Sequence, residues 1–536
     1  NTFLQLLFAR HAFLSSIMVI IQTGGKEMAG RIRKRKKILI GSHDICRDEF
    51  CRRDEQYGTI PGSIEAVKEK LNEIFSCCCD FICREISCGK EGSIKILVAY
   101  FNGFVDKRVL NQDVIHPILE FLAGEELHDG SRIYRRLKES VVENNDITEV
   151  NDMQKAVDAI VSGEALLFVD GENRALVIGV KAPQGRQVEE PDTETSIRGA
   201  REGFVENLLT NTTLIRKRIK NPNLKMEMMQ IGKQTKTDVC ICYIKGIANE
   251  EIVNEVRNRL NKIDTDGILD VGIIEQYISD SRFSLFPTVG NSEKCDKLAG
   301  KLLEGRIAIL CDGTPYVLTV PYLFVESIQN TDDYYDHAYF ATFMRLLRLV
   351  ALLLSIMLPG MYVALVSFHH TVIPFRLMIT LAASRQGIPF SPFTEAIMMI
   401  LAFEFMREAG VRMPRPIGQS LSIVGAIVLG EASVAAGIAS NLMVIIIAIT
   451  AICSFVVPPL IRATMLLRFV FLIAANFMGF LGISLVAVIV FTHLCRLRSF
   501  GIPYMAPFSP LTLPDLKDSL VMVPIWAMVT RPGILR

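Results

Sequence analysis

Acidic side chains inside apolar stretches are the residues of this sequence with the clearest capacity for chemistry. Three glutamates, Glu395, Glu404 and Glu431, lie within or beside long apolar segments of the carboxyl-terminal half. A carboxylate in hydrocarbon is costly and usually faces a bundle interior or water, so each glutamate is a candidate for a functional site. A structural interpretation stands beside this one: Glu404 or Glu431 pairs with an arginine such as Arg407 or Arg412, and Glu395 sits at the membrane interface.

Small residues are concentrated in the segment from Ile417 to Ser440, which contains Glu431. Glycine, alanine and serine let helices approach closely, or leave room around a pore. Tight helix packing alone explains the composition equally well. The segment is therefore a candidate for the lining of a pore, with tight helix packing as the alternative.

Other patterns that carry chemistry are weak. In the cysteine-rich stretch, Cys79 and Cys83 have i, i+4 spacing and would share one face of a helix that the apolar pattern predicts over 64–83. No spacing matches a pair of C-x2-C motifs, so cysteines packed in a core are favoured over a zinc site. The sequence also has no phosphate-binding glycine loop, no H-E-x-x-H and no G-x-S-x-G. We therefore predict no catalytic residues, no metal, no cofactor and no enzyme activity.

The distribution of charge divides the chain into a soluble half and a membrane half. The 536 residues are 50% hydrophobic and 21% charged, with a mean hydropathy of +0.32, but no lysine occurs between Leu302 and Leu516. A formal net charge of +1 excludes a nucleic-acid binder that works by overall basicity. The 13 cysteines are scattered in unmatched spacings, which indicates a reducing compartment and places the soluble half in the cytoplasm.

Helix and strand patterns predict an α/β (or α+β) amino-terminal half with two subdomains. We expect the first subdomain over residues 57–150. We expect the second over residues 151–335, beginning with a hairpin whose turn is Asp170-Gly171. Residues 1–56 are expected to be an additional amino-terminal segment and a disordered basic arm, with the natural start at Met28.

Apolar runs predict an all-α polytopic membrane domain of four to five spans over residues 345–495. Flanking arginines place the soluble half in the cytoplasm by the positive-inside rule. Two arguments about the side of the membrane on which the tail, residues 496–536, lies disagree. Arg496 and Arg498 favour the cytoplasmic side, whereas five spans would place the tail outside. The expected spans are Leu349–Phe368, Leu421–Asn441, Asn441–Ile461 and Phe469–Leu494, with Phe393–Met406 as a fifth span or a re-entrant piece.

Seven short segments along the chain carry a further signal. They are Glu190–Phe204, Thr210–Arg218, Phe286–Glu293, Leu303–Arg306 and Asp332–Tyr335 in the soluble half, then Arg407–Pro414 and Phe500–Pro510. In this order they resemble the A subunit of the GerA-type spore germination receptors. The resemblance extends from about Tyr57 to the end of the chain.

This resemblance implies a role in spores. Such receptors are integral multi-pass proteins of the inner membrane of dormant endospores of Firmicutes, and they respond to nutrients. By this resemblance the A subunit is expected to be the ion-conducting part of the receptor and to form an oligomer, a pentamer. Its large amino-terminal half is expected to lie in the cytoplasm, which in a spore is the spore core. A transporter-like B subunit binds the nutrient, and the C subunit is a lipoprotein. The chain is thus expected to form a ligand-gated cation channel that triggers germination, with these subunits and membrane lipid as partners and no nucleic acid.

The small-residue segment provides a hypothesis for the pore. Several copies of Ile417–Ser440 would surround an axis, and apolar rings would close the pore by dewetting. Glu431 or Glu404 would supply a ring that attracts cations. The candidate gate residues are Ile423, Val424, Ile427 and Val428.

Charged motif residues of the soluble half are candidates for an interface or an anion contact. The alternative is a salt-bridged helix surface. The candidates are Glu194, Arg198, Arg201, Glu202, Asn211, Arg216 and Arg218.

Two other functions stay open at this point. A paralogue of the same family would be an accessory spore membrane channel that amplifies ion release without sensing nutrients. A protein of a different class would be a non-conducting scaffold that holds partners at the membrane. Conductance of the purified protein separates a channel from a scaffold.

Overall fold

Two antiparallel sheets follow one another in the first part of the molecule. The computed structural model describes residues 57–88, 94–124, 130–141, 146–181, 194, 198–413, 425, 428–528 and 530–535. The first sheet consists of β1 (Phe81–Cys88), β2 (Ile94–Phe101), β3 (Ile147–Val150), β4 (Ala165–Val169) and β5 (Ala175–Ile178). Its strand order is β1-β2-β4-β5-β3.

Helices cover both faces of this sheet. Along β2, Ile96 and Val98 belong to one hydrophobic cluster, and Leu97, Ala99 and Phe101 belong to the cluster on the other face. A central strand that is buried on both faces reads as a continuous apolar run, which is the pattern of this segment. The covering helices are α1 (Ile64–Ile74), α2 (His116–Gly124), α3 (Gly130–Arg136) and α4 (Met153–Val161).

The cysteine-rich stretch is a turn and a strand beyond α1. The helix predicted over 64–83 is wrong after Ile74, because β1 pairs with β2 from Phe81 onward and this pairing overrides the local apolar period. Cys77 adopts a positive φ of 60° in the intervening turn. Since Cys83 lies on a strand, it does not share a helix face with Cys79.

The hairpin of β4 and β5 lies in the middle of the first sheet, where β4 pairs with β2 and β5 pairs with β3. The expected boundary at residue 150 therefore divides this sheet. The sheets themselves separate between Ile178 and Leu224. The reason is topological: β3 reaches its place at the edge beside β5, so the sheet is complete only after the hairpin has formed.

A second five-stranded sheet has the order β6-β7-β9-β10-β8 once its strands are numbered along the chain. They are β6 (Leu224–Ile231), β7 (Thr237–Ile244), β8 (Gly290–Ser292), β9 (Ile307–Cys311) and β10 (Val317–Val320). One face packs against α5 (Leu208–Arg218) and α8 (Cys295–Glu304), and the other against α6 (Glu250–Asn261) and α7 (Val271–Ile278). The α/β class with two subdomains is confirmed.

The remainder of the described chain is mainly helical, with a small two-stranded sheet of Arg498–Ser499 and Ile502–Pro503 in the tail. By length and composition, two helices within the described ranges are able to cross a membrane, Ala338–Ser367 and Pro458–Arg496. The number of four to five spans stays a prediction. The helices are α9 (Ala338–Ser367), α10 (Phe375–Ser384), α11 (Pro392–Arg412), α12 (Asn441–Phe455) and α13 (Ile461–Arg496).

Helix α13 reverses direction at Gly479, whose φ of 59° and ψ of −138° are not helical. A straight helix would separate Leu460 from Leu494 by about 51 Å, yet both residues belong to one hydrophobic cluster and line one cavity. The helix therefore consists of two antiparallel arms, which we call the first arm (461–478) and the second arm (480–496). The interpretation of Phe469–Leu494 as a single span is wrong, because this glycine turns the chain back.

The reversal returns the tail to the soluble half. Ser499 Oγ accepts the backbone N–H of Tyr322 at 3.0 Å and donates to the carbonyl of Thr288 at 2.7 Å. The N–H of Phe324 donates to the carbonyl of Tyr504 at 3.0 Å. Residues 496 and 498 consequently lie on the side of the soluble half, as their charge favoured.

A side chain at position 479 is expected to destabilise this reversal. In Gly479→Ala the Cβ would lie 2.8 Å from His369 Cε1 in a backbone conformation that L-residues avoid, which costs about 1–3 kcal/mol. We expect a lower melting temperature for the detergent-solubilised full chain. Gly300→Ala is the control, because the space around Gly300 in α8 is open and the change is neutral or stabilising there. Equal melting temperatures of Gly479→Ala and the unsubstituted chain would contradict the reversal.

Candidate functional site

Pro359 creates an unpaired acceptor in the middle of α9. A proline has no N–H, so the carbonyl of Ser355, four residues earlier, loses its helical partner. Arg468 of the first arm replaces that partner, since its Nε donates to the Ser355 carbonyl at 2.9 Å. Both residues are buried. The proline thus defines where an arginine of a neighbouring helix docks.

The same arginine reaches Glu404 of α11, one of the three acids of the apolar stretches. Arg468 Nη1 lies 3.3 Å from Glu404 Oε1, and Arg407 Nη2 lies 2.7 Å from Glu404 Oε2. The pairing of Glu404 with Arg407 agrees with the structural interpretation of the sequence. The contact of Glu404 with Arg468 was not predicted, because the two residues are far apart in the sequence. Two guanidinium groups compensate one carboxylate here, so Glu404 is engaged in helix packing.

Glu395 is fully buried within the protein, and its position relative to the membrane interface stays a prediction. Its Oε1 accepts hydrogen bonds from the backbone N–H and the Oγ of Ser440, both at 2.5 Å. Its Oε2 lies 3.8 Å from Arg385 Nη2. Ser440 is the N-cap of α12 and in turn accepts the N–H of Met443 at 3.3 Å. Glu395 therefore fastens the start of α11 to the start of α12, the helix that follows the small-residue segment.

The small-residue segment is described only in part. Glu431 is exposed, and Val428 begins a π-helical stretch that ends at Ala432. The gate candidates Ile423, Val424 and Ile427 lie outside the described residues. Their role stays a prediction.

A buried ion cluster joins the soluble half to α9. Arg348 forms two hydrogen bonds to the carboxylate of Asp333, at 2.7 and 2.9 Å, and Arg345 Nε reaches the same carboxylate at 3.2 Å. Asp333 is 3% exposed and Arg345 is fully buried. We call this group, together with Asp518, the junction cluster. The i, i+3 spacing of the two arginines at the start of an apolar run was the available signal for it.

The tail completes the junction cluster through Asp518. Arg345 Nη1 donates to Asp518 Oδ1 at 2.9 Å, and the hydroxyl of Tyr334 donates to Asp518 Oδ2 at 2.9 Å. Burial and the adjacent Asp518 carboxylate raise the pKa of Tyr334, so this hydroxyl stays a neutral donor. The N–H of Met522 also donates to Thr342 Oγ1 of α9 at 3.0 Å. One end of α9 is thus bonded to both the soluble half and the tail.

Arg216 bonds the two subdomains together in the interior. Its Nε and Nη2 donate to the two carboxylate oxygens of Asp80, with 2.8 Å between Nη2 and Oδ1. Its guanidinium carbon lies 4.0 Å from the ring centroid of Phe101 on β2. Burial alone would lower the pKa of Arg216, but the pairing with Asp80 outweighs burial and raises it. At 1% exposure, Arg216 makes an internal contact instead of the surface contact expected from the sequence.

Glu194 makes a second internal contact in the motif segment. Its carboxylate accepts from Ser292 Oγ at 2.6 Å and from Lys297 Nζ at 2.5 Å. Burial alone would raise the pKa of Glu194, but Lys297 and these hydrogen bonds outweigh burial and lower it. Because the folded-state pKa is depressed, the stabilisation is present above the unfolded pKa and is lost as the pH falls.

Most of the other motif residues contact neighbours on or near the surface, whereas Asn211 is buried. These ion pairs follow the alternative of a salt-bridged surface, and we retain the interface as a prediction. Glu202 pairs with Lys217 at 3.1 Å and with Arg218 at 2.7 Å, Asn211 bonds the backbone of Val205 at 2.9 and 2.6 Å, Arg198 lies 3.6 Å from Asp336, and Arg201 is exposed. Within the described ranges, no group of three or more His, Cys, Asp or Glu side chains is arranged to hold a metal ion.

Removing the charge of Asp80 is expected to destabilise the soluble half. Asp80→Asn leaves Arg216 buried without its counter-charge, which costs about 3–5 kcal/mol and lowers the melting temperature of the full chain. The matched control is Glu202→Gln, which alters a half-exposed pair with Arg218 on the same helix and costs about 0–1 kcal/mol. Circular dichroism melts compare the two. Equal effects would show that the buried pair is unimportant.

Asp333→Asn is expected to loosen the tail. The substitution leaves Arg345 and Arg348 without a shared carboxylate, and the arginine that holds Asp518 loses its position. Trp526 is the single tryptophan and lies in this tail, so its fluorescence anisotropy should fall in the full chain. Asp336→Asn is the control, since that carboxylate pairs only distantly with Arg198. Unchanged anisotropy in Asp333→Asn would contradict the role given to the cluster.

Comparisons with known proteins show which family the chain belongs to. The sequence model of the Bacillus/Clostridium GerA spore germination protein family matches residues 69–534. The chain is 42% identical over 474 residues to spore germination protein KA of Bacillus subtilis, covering 88% of this chain and 86% of that protein. It is 34% identical over 479 residues to spore germination protein GerLA of Bacillus cereus, covering 89% and 96%.

One solved structure is also similar. It is the crystal structure of the N-terminal domain of the A subunit of the Bacillus megaterium spore germinant receptor GerK3, at 34% identity and a TM-score of 0.40, covering 50% of this chain and 97% of that chain. Since the family model spans most of the sequence, the chain belongs to the GerA family of spore germination proteins.

Proposed function

We propose that this protein is the A subunit of a nutrient-responsive germination receptor and forms an oligomeric, ligand-gated cation channel in the spore inner membrane. The proposal includes a homo-oligomer, expected to be a pentamer, a transporter-like B subunit that binds the nutrient, and a lipoprotein C subunit. It assigns a receptor and channel role, not an enzymatic one. Family membership supports the role in germination.

The junction cluster is the observation that carries the channel part of the proposal. A soluble domain that only anchors a protein needs no buried bonds to its membrane helices. Here Asp333 holds two arginines of α9, and Asp518 connects the same helix end to the tail after α13. A movement of the soluble half would therefore be transmitted to α9 and to the second arm together. Such a connection suits a channel whose gate responds to an assembly of subunits.

The intramembrane acids divide between two roles in this proposal. Glu404 and Glu395 are buried and bonded, so they define how helices pack. Glu431 is exposed and lies in the small-residue segment, which makes it the preferred candidate for a ring that attracts cations. The apolar side chains that precede it would form the gate.

Potassium efflux from liposomes tests the proposal. The full chain is reconstituted alone and then with a transporter-like B subunit and a lipoprotein C subunit, with and without amino acids. Efflux that requires both partners and nutrient establishes the receptor channel. Nutrient-independent efflux from this chain alone would favour the accessory channel. The absence of efflux from folded oligomers in every combination would favour the non-conducting scaffold.

Polar substitutions at the gate are expected to open the channel. Val424→Thr and Val428→Thr would hydrate the apolar constriction and raise nutrient-independent potassium efflux at least fivefold. The control is Val488→Thr, which makes the same change on an exposed face of the second arm. If efflux from all three variants equals that of the unsubstituted protein, the pore does not lie in the segment Ile417–Ser440.

A further inference from the structure

An elongated apolar cavity lies where the membrane helices meet the soluble half. Its volume is about 500 Å³, and 18 of its 20 lining residues are apolar. Leu352 of α9, Leu467 of the first arm and Val490 of the second arm form its walls. Phe286 and Phe324 of the soluble half contribute to the lining. No element described above fills this space.

The chemistry of the lining excludes polar occupants. The two lining residues that carry hydroxyls are Thr464 and Ser509. The Thr464 hydroxyl already donates to the carbonyl of Ile461 at 3.0 Å within its own helix. An amino acid, a sugar or an ion would lose its hydration in such a site without gaining partners. The occupant must therefore be a hydrocarbon.

The entrance indicates where that hydrocarbon comes from. Leu353 of α9 and Phe491 of the second arm line the cavity and are 50% and 59% exposed. Leu353 lies on α9, which is long and apolar enough to cross a membrane, and Phe491 lies on the apolar second arm. We take the opening between these two exposed side chains to face the lipid phase. Phe286 and Phe324 of the soluble half and Phe508 of the tail also line the cavity.

The shape of the cavity suits a chain. Its lining extends from Leu349 to Met357 along α9, about 12 Å, and from Leu460 to Phe471 along the first arm, about 16 Å. We propose that the cavity binds one acyl chain of a membrane phospholipid, which enters between Leu353 and Phe491. The bound chain packs against α9, both arms and the tail at once, and so stabilises the docking of the membrane helices on the soluble half. This inference does not depend on the proposed channel function.

Two pairs of variants test the proposal in the full chain. Leu352→Trp and Ala487→Phe place larger side chains at two lining positions, on different helices. Their controls are Val350→Trp and Val488→Phe, which make the same kind of change at positions 53% and 65% exposed that do not line the cavity. Each protein is delipidated in detergent, incubated with a palmitoyl-oleoyl phosphatidylglycerol, and analysed by native mass spectrometry. A circular dichroism melt verifies that each variant is folded.

We expect the unsubstituted protein and both controls to retain one phospholipid per chain. Retention should fall at least fivefold in Leu352→Trp and in Ala487→Phe, and if one of them does not fold the other decides. Equal retention in a folded filling variant and its control would overturn the proposal, as would an unsubstituted protein that retains no lipid. A parallel incubation with palmitate identifies the source. Retention of palmitate without retention of phospholipid would overturn the proposal that the acyl chain belongs to a phospholipid. A change in oligomer mass with unchanged lipid retention would overturn it too, and would indicate that a second copy of the chain occupies the cavity.

Discussion

The connection between the soluble half and the membrane helices depends on one buried carboxylate, Asp333. It accepts hydrogen bonds from Arg345 and Arg348. It also accepts the N–H of Asn330, which caps the start of the short 3₁₀ helix Thr331–Tyr334 that precedes α9. The guanidinium groups of Arg345 and Arg348 are both removed from water, so they need a negative charge that lies between them, and the Asp333 carboxylate provides it. A buried ion pair adds little net stability compared with apolar packing, but removing one partner is expensive. The cluster therefore specifies one arrangement of the two halves more than it strengthens them.

A comparable constraint orders the interior of the helical part that follows the soluble half. Pro359 would weaken an isolated helix, because it removes one N–H from the ladder. In this protein the freed carbonyl of Ser355 accepts a hydrogen bond from Arg468, and Arg468 also pairs with Glu404. In a phase without water each of these groups must find its partner inside the protein. The proline is thus compensated by a neighbouring helix, and the compensation fixes the relative height of α9, α11 and the first arm.

The sequence contained the elements of the fold more clearly than their connections. The double-sided burial of Ile94–Phe101 and the turn at Asp170-Gly171 are local patterns, and both were predictable. The end of α1 at Ile74 was not, because the apolar period continues to Cys83 and only the partner strand decides the conformation. The reversal at Gly479 was hidden for a related reason. A glycine within an apolar run is compatible with a continuous span, and its positive φ is visible only in three dimensions.

The reversal changes what the candidate site can do. With two antiparallel arms in α13, the tail returns to the soluble half, and Ser499 and Asp518 fasten it there. A displacement of the soluble half then acts on α9 and on the second arm, and α9 contacts the first arm through Ser355 and Arg468. From α11, the bond of Glu395 to Ser440 leads to the start of α12, directly after the small-residue segment. Contacts of this kind are a necessary condition for coupling, and coupling itself also requires a second arrangement of comparable free energy. Glu431 is exposed at the end of this path, so it is the acid of the three whose surroundings a second arrangement can change with the fewest buried contacts broken.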